Sequence, residues 1–335
     1  MENKTIIIAE AGINHNGSVK LAKKMIKIAS DAGADFVKFQ IFKTGKITTK
    51  TAPQADYQIK NTRKKTSQYN MIKGLELNLK HFKILFNYCK KMKIKFLASC
   101  FDDESVQEYM KMGGRIFKIA SGEITNLSLL EYIGKQNKEV ILSTGMSTIS
   151  EIKKALYILI KKGTKKKNIS ILQCTTDYPC KIDEVNLLVI PMLYKNFKTK
   201  VGFSDHTQGY EASIAAVALG AKIIEKHFTI NKKLNGPDHM ASLDPLELEN
   251  FVKAIRITEK ALGNKKKKPT KNEIKNIKIV RRSLVAKKKI RIGDIFSFDN
   301  IAIKRPGDGI SPMKIRKILG KKSKKEFNID VKITS

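Results

Sequence analysis

Tryptophan is absent from this 335-residue chain, cysteine and proline are scarce, and long apolar runs are lacking. Four cysteines with no CxxC pair argue against a disulfide framework and a structural zinc site, and they indicate reduced thiols. No apolar run approaches the ~20 residues of a membrane span, and the first residues lack a signal-peptide pattern. We therefore expect a soluble, cytoplasmic protein with no membrane partner.

Acidic residues are also few: 31 Asp and Glu stand against 66 Lys and Arg, a formal net charge of +35. Such a charge is typical of nucleic-acid or anionic-surface binding, so a basic anion- or nucleic-acid-binding barrel is one hypothesis. However, the lysines are dispersed over the helical segments, as in LAKKMIKIAS, without interleaved tryptophan. Solvated helix faces explain this pattern better, and we expect no nucleic-acid partner.

Short apolar β-favouring runs alternate with amphipathic segments through the first 260 or so residues. The runs are TIIIAE, DFVKFQIF, KFLAS, RIFKIAS, EVILST, ISILQC, KVGFS and KIIEKHF. Eight successive βα units predict a (β/α)8 TIM barrel, with an active site at the C-terminal ends of the strands. One connection, from about Lys43 to Asn78, is too long and polar for an ordinary turn, and such insertions are often lids or subunit contacts.

The alternation stops after Gly263. We predict a catalytic barrel over 1–263, a charged linker over 264–279 and a small β-rich domain over 280–335.

Polar residues follow the apolar part of each strand, which is costly unless these groups share a polar cavity. Lys38 and Lys118 are candidates for binding an anion, helped by hydroxyl groups at Ser121, Ser143 and Ser204. Glu10 and Glu123 are candidates for acid–base chemistry, although each could instead neutralise a lysine. His206 and His227 end two neighbouring strands and suit a divalent ion such as Mn²⁺, Mg²⁺ or Co²⁺.

Several sequence segments, taken in order, resemble those of a known family. AEAGINHNGS, DFVKFQIFK, IFKIASGE, ILSTGMS, CTTDYP, GFSDHT, EKHFT and GPDH follow one another as in the sialic acid (N-acetylneuraminate) synthase family, which belongs to the nonulosonic acid synthases. The tail, with KRPGDGISPM, resembles that family's C-terminal antifreeze-like (SAF) domain. The resemblance implies condensation of phosphoenolpyruvate with an N-acylated hexosamine, release of phosphate by C–O cleavage, and a required divalent metal, with Mn²⁺ favoured.

The resemblance also implies residue roles. His206 and His227 would hold the metal, and phosphoenolpyruvate would bind Lys38, Lys118, Ser121, Ser143 and Ser204, with Ser99 replacing a threonine of relatives. Catalytic roles fall to Glu10 beside the metal, to Gln40 and Glu123 near the reacting carbons, and to His227. Tyr178 and Asp238 would approach the open-chain sugar. Arg305 would reach its N-acyl group from the partner subunit of a domain-swapped homodimer.

These residues leave the identity of the sugar substrate open. We expect an N-acetylneuraminate synthase acting on N-acetylmannosamine. An N,N'-diacetyllegionaminate synthase using 2,4-diacetamido-2,4,6-trideoxymannose is the first alternative, and a pseudaminate synthase the second. The loop CTTDYP is compatible with both leading substrates.

Overall fold

The computed structural model describes residues 4–334. Its first part is a closed barrel of eight parallel strands, each paired with its neighbours in chain order, and this confirms the predicted (β/α)8 architecture. The strands are β1 (Ile6–Gly12), β2 (Phe36–Ile41), β3 (Lys95–Cys100), β4 (Ile116–Ile119), β5 (Glu139–Ser143), β6 (Ile169–Cys174), β7 (Lys200–Asp205) and β8 (Ile223–His227).

Amphipathic helices surround the barrel and bury one apolar face against it. Several begin at a side-chain cap: Ser18 accepts a hydrogen bond from the Leu21 amide, and Thr148 and Asp244 form capping boxes. The principal helices are α1 (Val19–Asp31), α5 (Leu79–Lys91), α6 (Asp103–Lys111), α7 (Leu127–Lys135), α8 (Ile149–Lys161), α9 (Val189–Phe197), α10 (Glu211–Ala218) and α11 (Pro245–Leu262).

The connection between β2 and α5 folds into three short helices, α2 (Thr44–Ile47), α3 (Asp56–Thr62) and α4 (Gln68–Lys73). We call residues 43–78 the insertion. A small apolar cluster at its base includes Phe42 and Ile72 with Ile13, so the insertion packs on the loop that follows β1. It therefore lies at the C-terminal face of the barrel.

The chain divides into two compact units, Met1–Gly263 and Asn264–Ser335. The second unit contains α12 (Lys271–Val280) and an antiparallel pair, β9 (Ser283–Ala286) with β10 (Ile301–Lys304). The segment predicted as a linker thus includes a helix, which Thr270 and Glu273 cap reciprocally. The unit has its own apolar core, built around Leu284, Ile290 and Phe327. Within residues 4–334, no helix is long and apolar enough to cross a membrane.

The barrel interior is layered. An apolar layer fills the lower part of the barrel and consists of Ile8, Phe36, Leu97, Ile141, Leu172 and Ile223. Because strand side chains alternate between the two faces, the residues two positions further along each strand also point inward. They form what we call the polar layer: Glu10, Lys38, Ser99, Lys118, Ser143, Cys174, Ser204 and Glu225, all buried. The fold thus places charged groups above an apolar floor, at the C-terminal ends of the strands.

Candidate active site

Lys38 is held between two carboxylates of the polar layer. Its Nζ lies 2.8 Å from Glu10 Oε2 and 3.6 Å from Glu225 Oε2, and it donates a hydrogen bond to Ser99 Oγ at 3.2 Å. All these side chains are almost fully removed from solvent. A buried ammonium group with acidic and hydroxyl partners is fixed in position and remains charged.

Lys118 has a similar environment on the other side of Glu225. Its Nζ donates to Ser143 Oγ at 2.7 Å and lies 3.5 Å from Glu225 Oε1. Ser204 also donates a hydrogen bond to this oxygen of Glu225, at 2.9 Å. The Glu225 carboxylate therefore links the two lysines into one network.

The two carboxyl groups in this network have opposite tendencies. Burial raises the pKa of Glu10 to about 7, and Lys38 only partly offsets this. Burial also disfavours the charge on Glu225, but Lys118, Lys38 and the Ser204 hydroxyl together lower its pKa to about 2. Two carboxyl groups with well-separated pKa values can take different chemical roles, one as a permanent anion and one as a proton carrier near neutral pH.

Two imidazoles lie at the edge of this network. The ring centroids of His206 and His227 are 5.4 Å apart. His206 Nδ1 donates to the Thr175 carbonyl oxygen at 2.6 Å, so its Nε2 carries the free lone pair. His227 Nδ1 is buried without a hydrogen-bond partner, and burial together with His206 lowers the pKa of this ring well below its usual value.

A metal ligand must be a neutral imidazole with an available lone pair, and the shift of His227 favours that form. Burial disfavours a charge on His206, but Cys174 and the Thr175 carbonyl oxygen outweigh it and raise the pKa of this ring, so His206 would release a proton on binding the ion. Among residues 4–334, no group of three or more His, Cys, Asp or Glu side chains is arranged to hold a metal ion. The protein would therefore supply the two imidazoles, and oxygen atoms of water or substrate would fill the other positions.

Tyr178 lies against the two histidines, and Asp238 is buried near His206. The Tyr178 ring is 4.0 Å from the His206 ring and 5.6 Å from the His227 ring, measured between centroids. Burial raises the pKa of Asp238 to about 6, and the neighbouring His206 opposes this shift. Gln40 also belongs here, because its Nε2 donates to Glu10 Oε1 at 3.4 Å.

Two glycines leave room for this arrangement. Gly12 has a φ of +53°, and a Cβ atom there would come within 3.2 Å of Glu10 Oε1 and 3.5 Å of His227 Cε1. Gly145 donates its N–H to Ser121 Oγ at 3.0 Å, and a Cβ atom there would collide with Thr176 Oγ1 at 2.2 Å. Ser121 is thus positioned at the mouth by a backbone contact that requires glycine.

Two predicted residues are not brought into the network. Glu123 is half-buried, and its Oε2 accepts a hydrogen bond from Asn126 Nδ2 at 2.7 Å, in the turn that leads into α7. Arg305 belongs to the second unit, where it is exposed and its Nε donates to the Val280 carbonyl oxygen at 2.9 Å. The roles of both residues stay predictions.

Three residues that the sequence analysis left without a role take part in the site or its support. Glu225 joins both lysines of the polar layer, as described above. Asp205 and Lys226, which directly precede the two histidines, form an ion pair on the outer face of the barrel wall. The strand alternation around His227 was the available signal for Glu225, because residues 225 and 227 point to the same side of β8.

Comparisons with known proteins identify the family of this chain. Residues 25–267 match the model of the NeuB family, and residues 281–334 match the SAF domain. The chain is 53% identical to the N,N'-diacetyllegionaminic acid synthase of Campylobacter jejuni, with 98% of both chains covered. It is 39% identical to the enzyme of that name from Legionella pneumophila, over 94% of this chain and 89% of the relative.

A solved structure shows the same fold. The N-acetylneuraminic acid (sialic acid) synthetase of Leptospira borgpetersenii superposes with a TM-score of 0.73 at 35% identity, covering 82% of this chain and 90% of the other. The predicted family, barrel and C-terminal SAF domain are therefore confirmed. This chain belongs to the NeuB family and is an enzyme of the nonulosonic acid synthase type.

Proposed function

We propose that this enzyme is an N,N'-diacetyllegionaminate synthase, which condenses phosphoenolpyruvate with 2,4-diacetamido-2,4,6-trideoxymannose and releases phosphate. The supporting observation is the 53% identity to the Campylobacter synthase over nearly the whole of both chains. Identity to the Leptospira sialic acid synthetase is 35%. This comparison favours the alternative of the sequence analysis over its first expectation, N-acetylneuraminate synthase, which becomes the second candidate.

The polar layer is suited to hold phosphoenolpyruvate. Lys38 and Lys118 are buried and directed by hydroxyl groups, so they can bind phosphate and carboxylate oxygens in one orientation. Each lysine also lies within 3.6 Å of Glu225, whose negative charge keeps the two ammonium groups together when no substrate is present. As phosphate departs, the same lysines stabilise its growing negative charge.

Bond formation joins C3 of phosphoenolpyruvate to C1 of the sugar aldehyde, whose oxygen takes up a proton and becomes a hydroxyl group. Water then adds to C2, and the C2–O bond breaks to release phosphate. Glu10 is suited to accept the proton of that water, because its pKa of about 7 matches neutral working conditions. Gln40 orients the Glu10 carboxyl group through its amide hydrogen bond.

His206 and His227 would hold the divalent metal, with Mn²⁺ favoured over Mg²⁺ and Co²⁺. When bound, the ion would supply Lewis-acid polarisation of the sugar's carbonyl group. The Thr175 carbonyl oxygen keeps His206 in the tautomer that such a role needs. Tyr178 and Asp238 would contact the sugar above the histidines. A cytoplasmic location and a homodimer in which Arg305 completes the partner's site are further parts of the proposal.

Isotope tracing with metal removal tests the reaction. We would incubate the enzyme with phosphoenolpyruvate carrying ¹⁸O in the bridging position, with the diacetamido sugar and Mn²⁺. The expected result is phosphate that retains the ¹⁸O label and a loss of turnover with EDTA that added Mn²⁺ restores. Unlabelled phosphate would contradict C–O cleavage, and full turnover in EDTA would contradict the metal assignment.

A further inference from the structure

Three aromatic rings form a column from the candidate active site to the insertion. The Tyr178 ring lies 4.0 Å from the His206 ring at an angle of 33°, and the Tyr57 ring lies 5.1 Å from the Tyr178 ring at 32°. Such distances and angles are those of rings in direct contact. The column places Tyr57, a residue of α3 in the insertion, beside the groups proposed to bind the sugar.

The position of Tyr57 is fixed by contacts of its own helix. Asn61 Nδ2 donates to the Pro237 carbonyl oxygen at 2.6 Å, which attaches α3 to the loop that carries Asp238. Gln58 Nε2 donates to the Tyr57 hydroxyl oxygen at 3.3 Å. Burial, and secondarily the charge of Asp238, raise the pKa of Tyr57, so the side chain remains a neutral phenol. Tyr57 is therefore a fixed, half-buried aromatic side chain at the C-terminal face of the barrel.

The orientation of the sugar follows from the reaction. Its C1 must meet phosphoenolpyruvate, whose anionic groups need Lys38 and Lys118 in the polar layer. The layer lies inside the barrel, whereas the insertion lies at the mouth. C6 is the carbon furthest along the chain from C1, so it extends outward, in the direction in which the ring column runs from His206 to Tyr57.

We propose that Tyr57 is a specificity-determining residue, whose ring packs against the C6 methyl group of a 6-deoxy sugar and disfavours a C6 hydroxyl group. This inference rests on the proposed function. An apolar ring gains from contact with a methyl group, while a hydroxyl group placed there loses hydrogen bonds to water. A difference of one small group in such a pocket typically changes kcat/KM by roughly 10- to 200-fold.

The test compares two sugars that differ only at C6: 2,4-diacetamido-2,4,6-trideoxymannose and its 6-hydroxy counterpart. We would measure kcat/KM for each sugar, and KM for phosphoenolpyruvate, in wild type, Tyr57→Phe and Tyr57→Ala. Lys60→Ala, an exposed position on the same helix, is the control. We expect the preference for the 6-deoxy sugar to fall about tenfold in Tyr57→Ala. It should persist in Tyr57→Phe and Lys60→Ala, with KM for phosphoenolpyruvate unchanged.

A purely structural role would give a different result. Equal losses with both sugars in Tyr57→Ala would overturn the inference, because a loosened helix lowers both rates together. Tyr57→Gln keeps a sizeable side chain without the ring, and it should shift the preference in the same direction as Tyr57→Ala. If wild type used neither sugar, the proposed function would be wrong and this inference would fall with it.

Discussion

Lys226 and Asp205 form an ion pair with no solvent exposure, in which Nζ lies 3.1 Å from Oδ1. The two residues face each other in the register of β8 and β7, and each directly precedes one of the two histidines. Lys226 Nζ also donates to the Thr207 carbonyl oxygen at 2.5 Å. Asp205 accepts hydrogen bonds from Thr207 and from Ser213 of α10. The pair thus holds the backbone on both sides of His206.

Replacing one partner should weaken both the fold and the metal site. Lys226→Met leaves the Asp205 carboxylate buried without its cation, so we expect a loss of ~3–5 kcal/mol in the free energy of unfolding. Because the pair supports the histidines, Mn²⁺ affinity should fall roughly 10- to 100-fold. Urea unfolding and calorimetric titration with Mn²⁺ measure the two effects.

The matched control is Lys253→Met, which breaks an exposed helical ion pair with Glu249. This variant should change neither the free energy of unfolding nor the Mn²⁺ affinity noticeably. Unaltered Mn²⁺ affinity in a folded Lys226→Met protein would show that the pair does not position the histidines.

Glu10 and Glu225 should affect stability over different pH ranges. The pKa of Glu10 is raised from 4.5 to about 7, so the folded state binds this proton more tightly than the unfolded state. Stability from Glu10 is therefore complete below pH 4.5 and is lost as the pH rises to about 7. Because glutamine does not titrate, the free energy of unfolding of Glu10→Gln should rise by about 3 kcal/mol relative to that of wild type over this pH range.

The contribution of Glu225 to stability depends on pH in the opposite direction. Its pKa is lowered to about 2, so its contribution is present above pH 4.5 and is lost as the pH falls towards 2. Glu225→Gln should therefore be most destabilising at neutral pH and approach wild type in acid. Urea unfolding at a series of pH values gives the free energy of unfolding as a function of pH for wild type and for each variant. Parallel curves for wild type and Glu10→Gln would refute the assigned shift of Glu10.

Replacing Lys118 should weaken the binding of phosphoenolpyruvate and have little effect on the binding of the sugar. Lys118→Met removes a buried cation that Ser143 directs, so we expect KM for phosphoenolpyruvate to rise about 10- to 100-fold. The sugar KM should change by much less. Lys135→Met, at an exposed position in α7, serves as the control in the same steady-state assay. Similar effects on both substrates would mean that Lys118 supports the barrel rather than the anion.

Arg305 tests the proposed dimer. If it reaches the N-acyl group of sugar bound to the partner subunit, Arg305→Ala should raise the sugar KM far more than the phosphoenolpyruvate KM. Sedimentation velocity of the same variant should still show a dimer, because the arginine is proposed to contact substrate. An unchanged sugar KM would remove Arg305 from the site.

The barrel could be predicted because its signal is local. Each strand is a short apolar run, and each helix has its own periodicity, so β1 to β8 were counted correctly from the sequence. The polar ends of the strands were visible in the same way, and Lys38 and Lys118 do lie beside one carboxylate, that of Glu225. Strand alternation is a geometric property of the backbone, so it could be applied to each predicted strand.

What the sequence did not reveal depends on contacts between distant segments. Glu225 joins the two lysines only because the register of the strands brings them together, and no local pattern states that register. Tyr57 meets Tyr178 through an insertion whose folding rests on contacts such as Asn61 with Pro237. Glu123, although next to a polar strand end, turns towards Asn126 in the following loop.

The most direct test of the proposed function is a competition in one reaction. N-acetylmannosamine and 2,4-diacetamido-2,4,6-trideoxymannose would be supplied in equal amounts with Mn²⁺ and limiting phosphoenolpyruvate, and the products would be counted by mass spectrometry. We predict N,N'-diacetyllegionaminate in large excess. An excess of N-acetylneuraminate would contradict the proposal and restore sialic acid synthesis as the function.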